Sequence, residues 1–153
     1  AGIGVSGDVH AGPTVKHRSR VAADPTQPNL RQVHLLHGEL LDELATRGLA
    51  VNPGDLGENI ATTGVDLVNL PTGTTLCIGD DAIVSLTGLR NPCRQIEAFQ
   101  TGLQSQVLGR NNDGSLARLA GVMAVVIRGG IINPGDPIRW TLPPEPHHRL
   151  EPV

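Results

Sequence analysis

The sequence predicts a mainly β protein with a few helices, its short strands rolled into a closed or nearly closed β-barrel. Three observations point there. Nineteen glycines and 12 prolines in 153 residues supply more turns than a helical bundle tolerates, yet too few for disorder. Short runs rich in alternating or β-branched apolar residues recur along the chain, each bounded by turn-forming residues. Only two segments carry apolar residues at helical spacing, so helices belong on the outside or rim of the barrel.

Residues 1–29 are rich in Gly, Pro and polar residues and read as long loops, with a basic knot at Lys16-His17-Arg18-Ser19-Arg20. Leu30 to Leu36 reads as a strand. From Gly38 to Arg47, Leu40, Leu41, Leu44 and Ala45 fall at helical spacing, and Gly48 supplies the stop. Asn52-Pro53-Gly54-Asp55-Leu56-Gly57-Glu58-Asn59 is turn-forming. Short strands follow at 58–62, 74–79 and 82–87. Pro92 cannot continue a ladder but is tolerated in the first turn of a helix, so a helix is expected after Cys93, reaching about Leu108. Asn111-Asn112-Asp113-Gly114 is a polar turn. Val122 to Ile127 is a continuous apolar strand, and Asn133-Pro134-Gly135-Asp136 turns the chain into a last strand, Pro137 to Leu142. One domain over residues 1–153 is expected, long enough for a core without disulfide staples.

Composition narrows the function. A formal charge of −3 gives no global field for nucleic acid, and Phe99 and Trp140 are too few aromatics for a base-stacking platform. No apolar run approaches 18 residues and no signal-like start is visible, so no membrane partner is expected. Two cysteines in unlike settings fit a reducing, cytoplasmic location. The chain starts at Ala1 rather than Met, so some N-terminal sequence is expected to be missing.

The two cysteines differ. Cys77 sits in the uncharged run Thr74 to Gly79 and reads as inert core. Cys93 lies at the expected mouth of a helix, flanked by Arg90 and Arg94. Unpaired helical N–H groups and cations favour thiolate, the form that attacks electrophiles, carries sulfur or binds soft metals. Gly7-Asp8-Val9-His10-Ala11-Gly12 puts an acid and an imidazole two residues apart. On an extended backbone they share one side, which suits proton transfer; a glycine-rich turn with Asp8 as cap and His10 solvated is the alternative. Zinc has little support, because no Cys-x-x-Cys or His-Glu-x-x-His spacing occurs. Lys16, Arg18 and Arg20 alternate, so an extended backbone makes them either a local anion pocket, joined by His17, or a solvated loop.

The order of the pieces carries more than any one of them. Gly7-Asp8-x-His10-x-Gly12, Arg31-Gln32-Val33, Pro53-Gly54-x-Leu56-Gly57-Glu58-Asn59, Gly64-Val65-Asp66-Leu67, Gly73, Gly79, Thr87-Gly88, Pro92-Cys93, Gly121 to Val126 and Pro134-Gly135-Asp136 together closely resemble the MOSC domain family, named for the C-terminal domain of molybdenum-cofactor sulfurases. The resemblance spans nearly the whole chain. Members usually carry a further strand before the Gly-Asp-x-His segment. It implies a β-barrel working in sulfur or molybdenum chemistry at the cysteine that aligns with Cys93, either as a persulfide relay or as a ligand of the molybdenum cofactor (molybdopterin). Some small bacterial members reduce N-hydroxylated compounds. The resemblance further implies that Asp8, His10, Arg31, Gln32, Glu58 and Asn59 line the pocket. The basic loop of Lys16, His17, Arg18 and Arg20 is less general in the family; a phosphate role for it rests on its charge.

The expectation is therefore a molybdenum-dependent reductase of N-hydroxylated compounds, with Cys93 on the metal and His10 or Asp8 delivering protons. An external electron-donor protein is required, since no flavin or nicotinamide fingerprint is present. The alternatives are a Cys93 persulfide carrier fed by a sulfur donor, and a non-catalytic anion- or pterin-binding barrel.

Overall fold

A computed structural model describes residues 1–110 and 114–153, with the backbone alone described for Arg18 and Ser19. The elements in chain order are α1 (Arg18–Ala23), β1 (Val33–His37), α2 (Glu39–Thr46), β2 (Ile60–Thr62), a 3-10 turn (Leu67–Asn69), β3 (Thr75–Ile78), β4 (Ala82–Leu89), α3 (Arg94–Phe99), α4 (Leu103–Gln106), β5 (Leu108–Arg110), β6 (Leu116–Arg118), β7 (Val122–Arg128) and β8 (Ile138–Thr141).

Six strands form one curled sheet in the order β2-β1-β7-β4-β3-β8, and β5 and β6 form a separate hairpin. The protein is mainly β with few helices, as the sequence implies, but the barrel is half of one. The linear order leaves β2 and β8 as edges that do not pair with each other, so the expected closed or nearly closed barrel is corrected to an open half-barrel. β1 runs parallel to β2, which requires a crossover, and α2 supplies it. Every other contact in this sheet is antiparallel.

The strands alternate as half-buried pleats should. β4 buries every second residue from Ala82 to Gly88, and β3 buries Leu76 and Ile78. One core cluster gathers Val33, Leu35, Leu76, Val84, Leu86, Val122 and Leu150. A second joins Leu36 of β1 to Leu40 and Leu44 of α2, Ile96 of α3 and Leu103 of α4. β1 is buried along Val33–Leu36 because it is shared by both clusters.

Several boundaries move for local reasons. The strand expected from Leu30 starts at Val33, since Leu30 stays exposed and the Arg31 N–H donates to the Asn29 side chain rather than to a ladder. Glu58 and Asn59 stay outside β2. The helix expected from Cys93 to Leu108 breaks in two at Gly102, whose φ of 85° is the left-handed region that interrupts a helix. Glu97 of α3 stabilises the break, accepting from the Gly102 and Gln104 N–H groups. Residues 108–110 are strand. The basic knot is not extended: Arg20 and Val21 N–H both donate to the His17 carbonyl as α1 begins, so the extended backbone that alternation requires is absent. Cys77 is half-buried on the outward pleat of β3, because Leu76 and Ile78 take the inward one, so it is not core. Asn111, Asn112 and Asp113 of the expected polar turn lie outside the described residues.

A bulge interrupts β4 two residues before its end. The β4–β7 register slips between Leu86 and Gly88, leaving Thr87 without a β7 partner, and its hydroxyl donates to the Leu30 carbonyl at 2.6 Å. A bulge bends its strand. Past it, Arg90 N–H donates to the Gly121 carbonyl and the chain passes through Asn91 and Pro92 to Cys93.

Candidate functional site

A cavity of about 570 Å³ opens beside Cys93, between the loops of residues 10–31 and the ends of β1, β4 and α3. Cys93 is the N-cap of α3, half-buried, and its Sγ stands 3.4 Å from the Gln95 side-chain oxygen. The sulfur does not cap the helix; its S–H donates to Gln95 Oε1, and Cys93 lines the cavity.

Four permanent cations line the cavity: Lys16, Arg20, Arg31 and Arg90. The one carboxylate among the lining side chains is Asp55. Among the described residues none of the four cations forms an ion pair. Arg31 Nε and one terminal nitrogen of Arg90 are buried with no hydrogen-bond partner. Burial presses Arg31 below its ordinary pKa, and the Arg20 and Arg90 guanidiniums add to the effect. Burial does the same to Arg90, opposed by attraction to Cys93 and Glu58. Buried donors are normally paired, so the unpartnered Arg31 Nε and Arg90 nitrogen are donors that an anion in the cavity could satisfy.

Asp8 and His10 come together, in a turn rather than on an extended strand. Asp8 Oδ1 accepts from the His10 backbone N–H at 2.6 Å and faces Nδ1 at 3.0 Å, while Oδ2 accepts from Asn59 Nδ2 at 2.7 Å. Partial burial pulls Asp8 upward, but these hydrogen bonds and the His10 charge outweigh it and hold the carboxyl below its usual range. An ionised carboxylate only accepts, so Nδ1 of His10 carries the proton and Nε2 is the basic nitrogen. His10 and Asn59 line the cavity; Asp8 stands behind them and positions both.

His17 also lines the cavity, its pKa lowered by burial and by Arg31, His10 and Arg20. Arg18 has no described side chain. Lys16 reaches the cavity with its stem over Gly12, where a Cβ would meet Lys16 Cε at 2.5 Å. Gln32 does not line the cavity: its amide donates to the Gly2 carbonyl and accepts from Val126 N–H, knitting the N-terminal segment to β7. Glu58 is also set back, with Oε1 accepting from Gly54 N–H and Oε2 buried without a partner.

Three contributors are not evident from local sequence. Arg90 reads there only as a neighbour of Cys93. Asn29, 4% exposed, donates to the carbonyls of His10 and Gly12 and accepts from Arg31 N–H, so one amide ties the first loop to the approach to β1. His34, on β1, places Nε2 2.7 Å from the Ala120 carbonyl, and burial with the nearby Arg90 charge lowers its pKa to about 4. It forms a neutral floor. The signal for each is a long-range contact that spacing cannot carry.

Comparison with known proteins gives a consistent placement. The fold resembles the YuaD protein from Bacillus subtilis, with 26% identity and a TM-score of 0.72 over 90% of this chain and 80% of that one. It also resembles YiiM from Geobacillus stearothermophilus, at 21% identity and TM-score 0.60 over 74% of this chain, and YiiM from Escherichia coli, at 19% and 0.58 over 80%. The chain spans 56% and 60% of the lengths of those two YiiM proteins. Among curated proteins none matches. The MOSC domain model matches residues 7–139, a stretch that runs from the Asp8–His10 turn through Cys93 into β8, and the chain belongs to the MOSC domain family.

Proposed function

We propose that the protein binds the molybdenum cofactor in the Cys93 cavity and reduces N-hydroxylated compounds. The observation that carries this reading is a half-buried thiol sharing one cavity with buried, partnerless guanidinium nitrogens. Molybdopterin has a phosphate at one end and a dithiolene-bound molybdenum at the other, so the donor set fits both: Lys16, Arg20 and Arg31 for the phosphate, and the soft Cys93 sulfur for molybdenum. Bound there, the cofactor supplies the two-electron redox chemistry that removes oxygen from the substrate. Electrons come from a separate donor protein.

The chain's own residues supply the rest. Arg90 places a positive charge beside Cys93 at the cavity. His10, with Nδ1–H fixed on Asp8, keeps Nε2 able to take up and release a proton at the cavity. Asp8 positions that ring through Oδ1 and Asn59 through Oδ2. His34, neutral above pH about 4, closes the floor without adding a further cation.

The test is Cys93→Ser in protein made by a host that synthesises the cofactor. Wild type should carry molybdenum and pterin and reduce an N-hydroxylated amine when given electrons. The serine variant should fold and lose that reduction, because a hydroxyl is a harder and far less acidic donor than a thiol. Full activity in the variant sinks the mechanism. Mobilisable sulfur on wild-type Cys93, with no reductase activity in the loaded protein, establishes the carrier reading instead.

A further inference from the structure

Two arginines flank Cys93 in the sequence, and the fold keeps one of them at the cavity. Arg94 is exposed and does not line it, whereas Arg90 is half-buried and does. The backbone brings Arg90 there, its N–H donating to the Gly121 carbonyl as β4 ends. Arg90 also stands apart from the other cations. Arg20 and Arg31 both bear on His17 and lower its pKa, and Arg31 feels Arg20 more than Arg90. Arg90 instead bears on His34 and is attracted by Cys93 and Glu58. Among the described residues Glu58 forms no ion pair with it, and one terminal nitrogen of Arg90 stays buried without a partner.

The polar side chains next to Arg90 have spent their acceptors. Asn91 Oδ1 accepts from Arg118 Nε at 3.1 Å, and Gln95 Oε1 accepts from the Cys93 S–H at 3.4 Å. Each amide keeps its NH2 group, which can only donate. Both residues line the cavity with Arg90 and Cys93. Asp55, the one lining carboxylate, has Oδ2 engaged by the backbone N–H and side-chain amide of Asn52. A guanidinium and two amide NH2 groups with no acceptor left among them suit a ligand that only accepts. A carboxylate does so, and its two oxygens match the guanidinium fork.

We infer that Arg90, Asn91 and Gln95 form an anion subsite beside Cys93, distinct from the cations assigned to the cofactor phosphate, and that it takes the carboxylate of the molecule that reacts there. The inference stands without the molybdenum reading, since it needs only the cavity and these donors. Joined to that reading, it makes the substrate an N-hydroxylated compound that bears a carboxylate and is held by it.

The test compares iodoacetate with iodoacetamide on protein from a host that makes no molybdenum cofactor. The reagents share a leaving group and differ in carboxylate against carboxamide; in both, sulfur bonds to the methylene carbon, iodide departs and the thiol proton goes to solvent. Peptide mapping separates Cys93 from Cys77, and the ratio of the iodoacetate rate to the iodoacetamide rate is measured at each. Arg90→Met should lower the ratio at Cys93 about tenfold, equivalent to about 1.4 kcal/mol, and leave it unchanged at Cys77. Arg31→Met, which removes a charge without touching the subsite, should lower it by less than about threefold. An unchanged ratio in Arg90→Met, or an equal fall in Arg31→Met, overturns the inference. Should Arg90→Met fail to fold, wild type alone decides. Acetate should slow iodoacetamide labelling of Cys93 to a limiting rate and spare Cys77, while chloride at the same ionic strength should slow neither. Equal slowing of Cys93 by chloride, or none by acetate, refutes the subsite. With no cofactor in the protein, either refutation leaves the molybdenum reading to its own test.

Discussion

Replacing Arg31 with methionine should make the protein more stable and its anion binding weaker. Arg31 is half-buried, its Nε has no partner, and the two charges bearing on it, Arg20 and Arg90, are both repulsive. An unpartnered buried donor costs about 1–3 kcal/mol. Solvent screens the exposed half of the side chain, which brings the figure to about 1 kcal/mol. Methionine keeps the length and fills irregular space, so little packing is lost, and the backbone N–H keeps its bond to Asn29. In phosphate-free buffer the Tm of Arg31→Met should therefore rise by about 2–4 °C. Adding phosphate to about ten times its Kd should stabilise wild type by about 1.4 kcal/mol, or about 3–6 °C, and the variant by much less. The assay is a pair of thermal melts per protein, with and without phosphate. A variant more than about 2 kcal/mol less stable than wild type, or one with an undiminished phosphate response, refutes the idea that this guanidinium is held in deficit for an anion.

Two further outcomes follow from residues around the cavity. His34 stays neutral in the folded protein down to pH about 4, whereas the unfolded chain takes up its proton near 6.5, so stability present above 6.5 is lost as pH falls toward 4. Between pH 7.5 and 4.5 this amounts to about 2.5 kcal/mol, and denaturant titrations should show that His34→Gln removes most of this slope; parallel curves would contradict it. Gly121→Ala should cost more than about 3 kcal/mol, since at φ of 93° a Cβ meets the Leu35 carbonyl and lies 2.7 Å from His34 Nε2. Gly54→Ala, at φ of 96° with open space around it, should lose only about 1 kcal/mol in the same melts, and equal losses would mean that backbone strain alone sets the cost.

The legible parts of this molecule are those in which neighbours in sequence are also neighbours in space. The α2 helix, its Gly48 stop, the alternating pleat of β4 and the placement of Cys93 at the start of α3 follow from local pattern. The long helix expected after Cys93 fails because Glu97, an ordinary helix former, spends its carboxylate on the N–H groups of the next helix. The basic knot turns helical because the His17 carbonyl finds two donors one turn ahead. At the site, His10 and Cys93 stand out as chemistry-bearing residues. Asn29 does not, because the atoms it serves lie 17 and 19 positions away, and His34 meets its carbonyl partner 86 positions along the chain. Openness of the sheet was equally invisible, being a statement about which edges fail to meet.

Asn29 also has an evolutionary consequence. Its side chain holds the first loop entirely through main-chain oxygens, at His10 and Gly12, and holds the approach to β1 through a main-chain nitrogen, at Arg31. Nothing in that clasp reads the side chains it organises. The identities of residues 9–11 and of residue 31 are therefore not fixed by Asn29 and can drift under selection for a new ligand while the loop keeps its path, whereas Gly12, at φ of 143° under the Lys16 stem, cannot. The corresponding cost falls on one position: a substitution at Asn29 loosens both segments at once and leaves their side chains with no fixed frame in which to be selected.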